Sequence, residues 1–345
     1  MNARTLFTLV VVLFVSSFVT VVSAQEGRQQ KLYVLSSADN DATIIDVATN
    51  QIIGAIEVGE LPHGLAVPAS NDILYVSTER DNKLVVVDPV TDEIVRKYPV
   101  GDTPNEIDIT PDGRFVYLPI RRGGVYEVFD TVKEEVVARI PTDGGPHNAV
   151  VSPDGRFMYL SPLGDNDKIY VADTRTHTIA ATISTEHAPR PIAVSPDGKW
   201  LYVNTDELLG FKVLDLEKRK VVSTAHYELT ADENAERSRS HGVVATPDGK
   251  EVWASDVNHE LVFVFDVTQN PPKQIARFEN PGDPYWLTVT PDGKTVYVAS
   301  ATDDTVTAYD VAAKKKVAVI QLPKGKAPKR MQVVSVSRRR TSDQH

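Results

Sequence analysis

The chain of 345 residues contains no cysteine. This absence excludes disulfide bonds, a thiolate nucleophile, a lipoprotein anchor cysteine and thiolate metal sites. Stability must therefore come from apolar burial and from strand pairing. Hydrophobic residues make up 41% of the chain, which is enough for a core.

Basic residues are fewer than acidic ones, 37 Lys and Arg against 47 Asp and Glu, so the formal net charge is −10. An acidic protein repels phosphate backbones, so nucleic acid is not expected as a partner. The chain also lacks the Gly-x-Ser-x-Gly, His-Glu-x-x-His, Walker and Gly-x-Gly-x-x-Gly motifs. No catalytic set is evident from motifs, which favours a binding protein over an enzyme.

Long apolar runs are missing except at the N-terminus, where Leu6 to Val22 is mostly apolar and follows Arg4. Small residues end the run at Ala24, and a polar segment follows. This pattern predicts a cleaved signal peptide over residues 1–24. An uncleaved anchor is the alternative, although 17 residues are few for a membrane span. We therefore expect a periplasmic or secreted protein with no membrane span after cleavage.

Two columns of residues repeat seven times along the chain, 13 or 14 residues apart, with a period of 42 to 51 residues. The aromatic column is Tyr33, Tyr75, Tyr117, Tyr159, Tyr202, Trp253 and Tyr297, and the aspartate column is Asp46, Asp88, Asp130, Asp173, Asp215, Asp266 and Asp310. Each unit holds four short runs of β-branched and aromatic residues. Pro-Asp-Gly separates the first two runs in five units, as in a tight turn. The aspartate follows the third run, where it can accept N–H bonds from its own turn.

Seven copies of a four-stranded unit predict an all-β, seven-bladed β-propeller. The first unit lacks an innermost strand, and the chain ends with a spare one at Arg330 to Ser335. The two ends should therefore close the ring within one blade, which removes an unpaired sheet edge. The predicted boundaries are a linker over residues 25–30, the propeller over 31–337 and a basic, polar tail over 338–345. We expect a monomer.

The units resemble the YVTN family of propeller repeats, also called YncE-like. The resemblance lies in Leu201-Tyr202-Val203-Asn204-Thr205, Leu74-Tyr75-Val76-Ser77 and Val296-Tyr297-Val298-Ala299, and it extends over nearly all of the predicted mature chain. It implies the propeller fold. Such exported propellers serve many roles, so the resemblance implies no particular activity.

One position just before each innermost strand should overhang the mouth of the central channel. Around the ring it is occupied by His63, Asn105, His147, Arg190, His241, Tyr285 and Lys329, with Trp286 and Arg330 following the last two. None of the seven is acidic in an acidic chain. The pattern predicts a site for an anionic small molecule or an acidic group of a partner protein. Tyr285 and Trp286 are expected to form an aromatic wall, and the histidines to gain charge near pH 6.5.

Two alternatives to a ligand-binding scaffold stay open. The stretch from Pro146 to Asp167 resembles part of the seven-bladed lactonase family, which would make His147 and Arg190 the acid/base and anion-holding candidates. Alternatively, His63, His147 and His241 could converge on a metal ion, although nearby Arg190 and Lys329 would repel one. No cofactor is expected otherwise. The long link over residues 228–240 is either a solvated insertion or a lid that carries Arg237 and Arg239 over the mouth.

Overall fold

The computed structural model describes residues 28–205, 207–235 and 238–337. The predicted signal peptide, the C-terminal tail and Arg237 lie outside these residues. The described chain folds into seven four-stranded antiparallel sheets arranged as a ring. This confirms the predicted seven-bladed β-propeller. No helix in the described part is long and apolar enough to span a bilayer.

The blades, numbered 1 to 7, use 28 strands within the described residues. Blade 1 consists of β1 (Arg28–Ser36), β2 (Asp41–Asp46), β3 (Gln51–Glu57) and the last strand, β28 (Pro328–Ser337). Blade 2 consists of β4 (Pro62–Ala66), β5 (Leu74–Thr78), β6 (Lys83–Asp88) and β7 (Glu93–Pro99). Blade 3 consists of β8 (Asp108–Ile109), β9 (Phe115–Ile120), β10 (Val125–Asp130) and β11 (Glu135–Pro141).

Blades 4 to 7 follow in chain order, each from its innermost to its outermost strand. Blade 4 is β12 (Gly145–Val151), β13 (Phe157–Leu163), β14 (Lys168–Asp173) and β15 (Thr178–Ser184). Blade 5 is β16 (Pro189–Val194), β17 (Trp200–Thr205), β18 (Gly210–Asp215) and β19 (Lys220–His226). Blade 6 is β20 (Ser240–Ala245), β21 (Glu251–Asp256), β22 (Leu261–Asp266) and β23 (Lys273–Glu279). Blade 7 is β24 (Pro284–Val289), β25 (Thr295–Ser300), β26 (Thr305–Asp310) and β27 (Lys315–Gln321).

Ring closure joins the two ends of the chain in blade 1. The C-terminal strand β28 pairs antiparallel with β1, with Arg28 opposite Ser337 and Val34 opposite Met331. The innermost strands contact their neighbours all the way round, including β24 with β28 and β28 with β4. The predicted closure is confirmed, and β1 begins at Arg28 within the segment assigned to a linker.

The repeated turn residues have the structural roles that the sequence indicates. In each Pro-Asp-Gly turn the aspartate accepts a hydroxyl hydrogen bond from the preceding Ser or Thr, as Asp154 does from Ser152 at 2.6 Å. The glycine has positive φ, for example +71° at Gly155. All seven column aspartates accept N–H bonds from their own β-turn, as in Thr49 to Asp46 at 2.9 Å. These aspartates stabilise the turns.

The hydrophobic core lies between neighbouring blades. One cluster joins Tyr33 and Ile44 of blade 1 to Val76 and Val85 of blade 2, and similar clusters occur at the other junctions. All seven column aromatics are buried on the second strands. Since the chain order within each blade is regular, the Pro-Asp-Gly and aspartate turns lie on one face. The inter-blade links and the channel mouth described below lie on the other face.

Candidate ligand site at the channel mouth

The ring position is the residue of each blade that overhangs the channel mouth, and the backbone is irregular there in a way that we did not predict from the sequence. The pairing of the innermost strand with the second strand slips at this point, between Pro62 and Gly64 in blade 2 and between Pro284 and Trp286 in blade 7. Equivalent slips occur in blades 1, 4, 5 and 6. A β-bulge turns a side chain away from the sheet. Proline precedes the ring position in six of the seven blades, and this proline is the signal that the sequence offers for the irregularity.

Cations and aromatic rings are stacked along one side of the mouth. The Tyr285 ring stacks on His241, with 4.2 Å between centroids, and Lys329 Nζ lies 4.8 Å from the Tyr285 centroid. The Arg330 guanidinium lies 3.6 Å from the Trp286 centroid. The two aromatic residues therefore position cations. They do not offer the open aromatic wall expected from the sequence.

Two carboxylates balance part of this charge, and neither was among the predicted site residues. Glu106 Oε2 lies 3.0 Å from Arg330 Nε across the channel, and both side chains are buried. Burial raises the pKa of Glu106 to about 7, with Arg330 acting in the opposite direction. Glu79 lies 3.3 Å from His63 and 3.7 Å from Arg121, and it accepts a hydrogen bond from Asn105. Burial likewise raises the pKa of Glu79.

His147 and His241 are buried and His63 is largely buried, and this burial favours the neutral form of all three. Burial, reinforced by Arg330, lowers the pKa of His147 to about 3, and burial together with Arg190 lowers that of His241 to about 2. The pKa of His63 also lies well below its usual range, because of burial and Arg330. The expectation that these imidazoles gain charge near pH 6.5 is therefore wrong. Burial disfavours the protonated imidazoles, and the nearby arginines disfavour them further because their charge has the same sign.

A three-histidine metal site does not form. His63 and His147 lie 6.3 Å apart between ring centroids, but His241 is turned onto Tyr285. The Nδ1 atom of His147 contacts Asn148 Oδ1 at 2.5 Å. Among the described residues no three His, Cys, Asp or Glu side chains come together as a metal-binding group.

Several buried polar atoms near the mouth have no hydrogen-bond partner within the described chain. They include His63 Nε2, Asn105 Oδ1 and Arg330 Nη1. Arg330 Nε and Glu106 Oε2 also belong to this group, because their 3.0 Å contact is an ion pair without hydrogen-bond geometry. A buried polar atom left unsatisfied costs about 1–3 kcal/mol, so such atoms mark places for water or ligand. A polar hollow of about 510 Å³ opens beside them, lined in part by Glu79, Arg121 and Arg122. The site thus contains cations, neutral imidazoles and unsatisfied polar atoms.

The first half of the long link over residues 228–240 contacts the outermost strand of blade 6 and a loop of the same blade. Glu233 pairs with Arg277 of β23 at 2.8 Å, and its carbonyl oxygen contacts His259 Nε2 at 2.8 Å. His259 Nδ1 in turn contacts the buried Asp256 at 2.7 Å. Residues 228–235 therefore do not cover the mouth. Arg239 follows them as an exposed residue, and its charge helps to lower the pKa of His241.

A family model, described as the cytochrome D1 heme domain, matches residues 120–337, which is well over half of the chain. The chain belongs to the cytochrome D1 heme domain family. A search of curated protein sequences gives no match. The YVTN/YncE-like resemblance stays a prediction.

Several solved structures share the fold of this chain at low sequence identity. The periplasmic gluconolactonase of Pseudomonas aeruginosa matches with a TM-score of 0.74 and 17% identity, over 89% of this chain and 99% of that one. A Bacteroides uniformis protein provisionally called a 6-phosphogluconolactonase matches with 0.72 and 18%, over 89% and 100%. A chain of Kuenenia stuttgartiensis hydrazine synthase matches with 0.67 and 21%, over 80% and 96%. These likenesses support the propeller fold alone.

The family is named for a heme, which needs a side-chain ligand and a shaped pocket for a flat ring. The unpartnered His63 Nε2 is a suitable donor, and arginines suit peripheral carboxylates. However, Tyr285 is covered by His241 and Lys329, and Trp286 is covered by Arg330. No slot lies open between these aromatic rings. The described residues therefore do not fit a heme in this arrangement.

Proposed function

We propose that this propeller binds an anionic small molecule, or an acidic group of a partner, at its channel mouth. The observation that carries the proposal is the group of cations at the mouth, where Lys329 Nζ lies 4.8 Å from the Tyr285 centroid and the Arg330 guanidinium 3.6 Å from the Trp286 centroid. Burial is the main cause of the lowered pKa of the three imidazoles, and the charge of Arg330 acts on all of them in the same direction. Arginine holds carboxylate or phosphate through paired N–H donors, and Lys329 would add a point charge.

The neutral imidazoles at the mouth indicate that the anionic ligand also carries hydroxyl groups. A neutral histidine has one donor and one acceptor nitrogen, so it suits hydroxyl groups. His63 Nδ1 faces Glu79, which leaves Nε2 as the acceptor. The Asn105 side chain donates to Glu79 and keeps its oxygen available. A hydroxylated carboxylate, such as a sugar acid, satisfies both the cations and these acceptors.

A binding series tests this proposal by calorimetry at neutral pH. Gluconate and galacturonate should bind, and the uncharged sorbitol should bind far more weakly. Arg190→Met should cost about 2–5 kcal/mol of binding free energy if the anion is partly buried against it. Lys329→Met should weaken binding, whereas Lys133→Met, in an exposed turn on the opposite face, should not. Equal binding of gluconate by the Lys329 and Lys133 variants would place the site elsewhere.

The pH dependence should follow Glu106 and not the histidines. The Glu106 carboxylate opposes an anion, and its pKa is raised to about 7. Anion binding should therefore strengthen as the pH falls from 8 to 6, as Glu106 takes up a proton. Glu106→Gln should remove this dependence. A pH dependence that survives in Glu106→Gln would contradict the assignment.

A lactone hydrolase is the second candidate. It is supported by the lactonase names of two proteins that share the fold over nearly their whole length. His147 would be the base through Nε2, since its Nδ1 faces Asn148. A pKa of about 3 makes it a weak base at neutral pH, which favours binding over catalysis. Hydrolysis of gluconolactone above the uncatalysed rate, lost in His147→Ala, would favour the enzyme.

A further inference from the structure

A second recurring contact, on the face opposite the mouth, links some of the neighbouring blades. At three junctions the tyrosine of one blade hydrogen-bonds to a positive-φ residue in the outer turn of the following blade. Tyr297 donates to Asn50 Oδ1 at 2.8 Å, Tyr117 contacts His177 Nδ1 at 2.8 Å, and Tyr33 donates to Asp92. In each case the turn residue offers an acceptor for the tyrosine O–H.

The junction between blades 4 and 5 lacks this contact. Its tyrosine is Tyr159, and the corresponding turn residue is Arg219, with φ of +54°. A guanidinium group has only donors and cannot accept the tyrosine proton. Within the described chain neither the Tyr159 hydroxyl nor the Arg219 guanidinium has a hydrogen bond or ion pair. Arg219 is exposed at the surface, and both residues line the same crevice.

That space is a crevice of about 310 Å³ between the two blades. Its walls include the apolar side chains of Pro153, Phe157, Val171 and Leu216 beside Tyr159 and Arg219. The crevices at the junctions of blades 3 and 4 and of blades 7 and 1 have larger volumes, about 560 and 610 Å³, but their linings do not include Tyr117 or Tyr297. The lining of the crevice between blades 4 and 5 does include its tyrosine, Tyr159.

Three acids and two cations line the crevice, and hydrogen bonds orient two of the acids without removing their charge. Asp154 accepts hydrogen bonds from Ser152 and from the Arg156 N–H. Asp197 accepts one from the Lys199 N–H and lies 3.3 Å from its Nζ. The third acid, Glu217, is exposed. A smaller crevice of about 130 Å³ at Tyr202 has no cation in its lining, which distinguishes the Arg219 crevice from it.

We propose that the crevice between blades 4 and 5 binds a carboxylate carried on a small apolar body. Arg219 holds the carboxylate with paired N–H donors, and the Tyr159 O–H donates a further hydrogen bond. The apolar body lies against Phe157, Val171 and Leu216. Burial, together with the charge of nearby Asp154, raises the pKa of Tyr159 to about 12, so the hydroxyl remains a donor at physiological pH. This site is separate from the channel mouth and does not depend on the function proposed there.

Titration calorimetry with phenylacetate tests the proposal on the whole chain. Wild type should bind phenylacetate at least about tenfold more tightly than the uncharged phenylacetamide. Arg219→Asn recreates the Tyr297–Asn50 pair, and asparagine tolerates positive φ. This variant should bind phenylacetate at least about tenfold more weakly, yet melt at a higher temperature because Tyr159 gains an acceptor.

Two matched tyrosine variants separate binding from folding. Tyr159→Phe should weaken phenylacetate binding without lowering the melting temperature, since no internal hydrogen bond is lost. Tyr297→Phe should lower the melting temperature without changing binding, since its hydroxyl is bonded to Asn50. Lys133→Met, in an exposed turn of blade 3 outside the crevice lining, should leave phenylacetate binding unchanged. Failure of wild type to bind phenylacetate, or equal binding by wild type and Arg219→Asn, would overturn the proposal.

Discussion

Replacing Arg330 by methionine should destabilise the propeller strongly, because it leaves Glu106 buried without its cation. The two side chains are 4% and 11% exposed, and Arg330 Nε lies 3.0 Å from Glu106 Oε2. At about 4 Å and an effective dielectric constant near 20, such charges attract by about 4 kcal/mol. Removing one partner of a buried pair costs about 3–5 kcal/mol. The stacking of Arg330 on Trp286 is lost as well.

The size of the loss should depend on pH in a definite direction. Burial already raises the pKa of Glu106 from 4.5 to about 7, and Arg330 opposes that rise. Without Arg330 the folded-state pKa rises further. A raised carboxyl pKa destabilises the native state only where the unfolded carboxyl is ionised. The difference between wild type and Arg330→Met should therefore be largest above pH 7 and shrink as the pH falls toward about 4.5.

Thermal and urea unfolding at pH 8 and pH 5 measure this effect. At pH 8 we expect a melting temperature roughly 5–12 °C lower for Arg330→Met. The double variant Arg330→Met/Glu106→Gln should recover part of the loss, since no buried charge remains. Equal stability of wild type and Arg330→Met at both pH values would refute the buried-pair reasoning. The same loss at pH 5 and pH 8 would attribute it to packing against Trp286 alone.

Three further predictions concern the frame around the site. A chain that ends at Pro328 loses β28 and should lose protease resistance and cooperative melting, because β1 would then lack its partner; a truncated chain as stable as full length would contradict ring closure. Gly64→Ala should lower the free energy of unfolding, measured in urea, by about 1–3 kcal/mol, since the added Cβ would lie 2.5 Å from Asn105 O. Gly124→Ala is the control: no atom lies near its added Cβ, so this variant measures the cost of positive φ alone. Intact-mass analysis of exported protein should place the mature N-terminus at Gln25, and retention of residues 1–24 would identify a membrane anchor instead.

The repeat pattern was sufficient for the fold because propeller repeats are local. The aromatic and aspartate columns lie on the second and third strands of every blade, and each aspartate stabilises its own turn. Contacts within a unit of about forty residues can be predicted from spacing. The ring position could be aligned for the same reason. Its equivalence in seven blades placed His63, His147 and Lys329 on one face.

What the sequence could not predict is how these residues meet across the channel. Glu106 lies next to Asn105 in sequence, but its partner Arg330 comes from the last strand. Tyr285 and Trp286 were expected to face a ligand, whereas the ring brings His241, Lys329 and Arg330 over their faces. These contacts join different blades, and their geometry depends on the radius of the closed ring.

The sequence by itself determined the blade number, the position of ring closure and the set of residues at the mouth, because each follows from a periodic pattern. Only the tertiary structure decided their ionisation and their partners. Burial is a property of the closed ring, and it lowers the pKa values of His147 and His241 while raising that of Glu106. The same holds at the junction of blades 4 and 5. Tyr159 and Arg219 are sixty residues apart in the chain, and only the packing of one blade on the next brings both to the lining of one crevice.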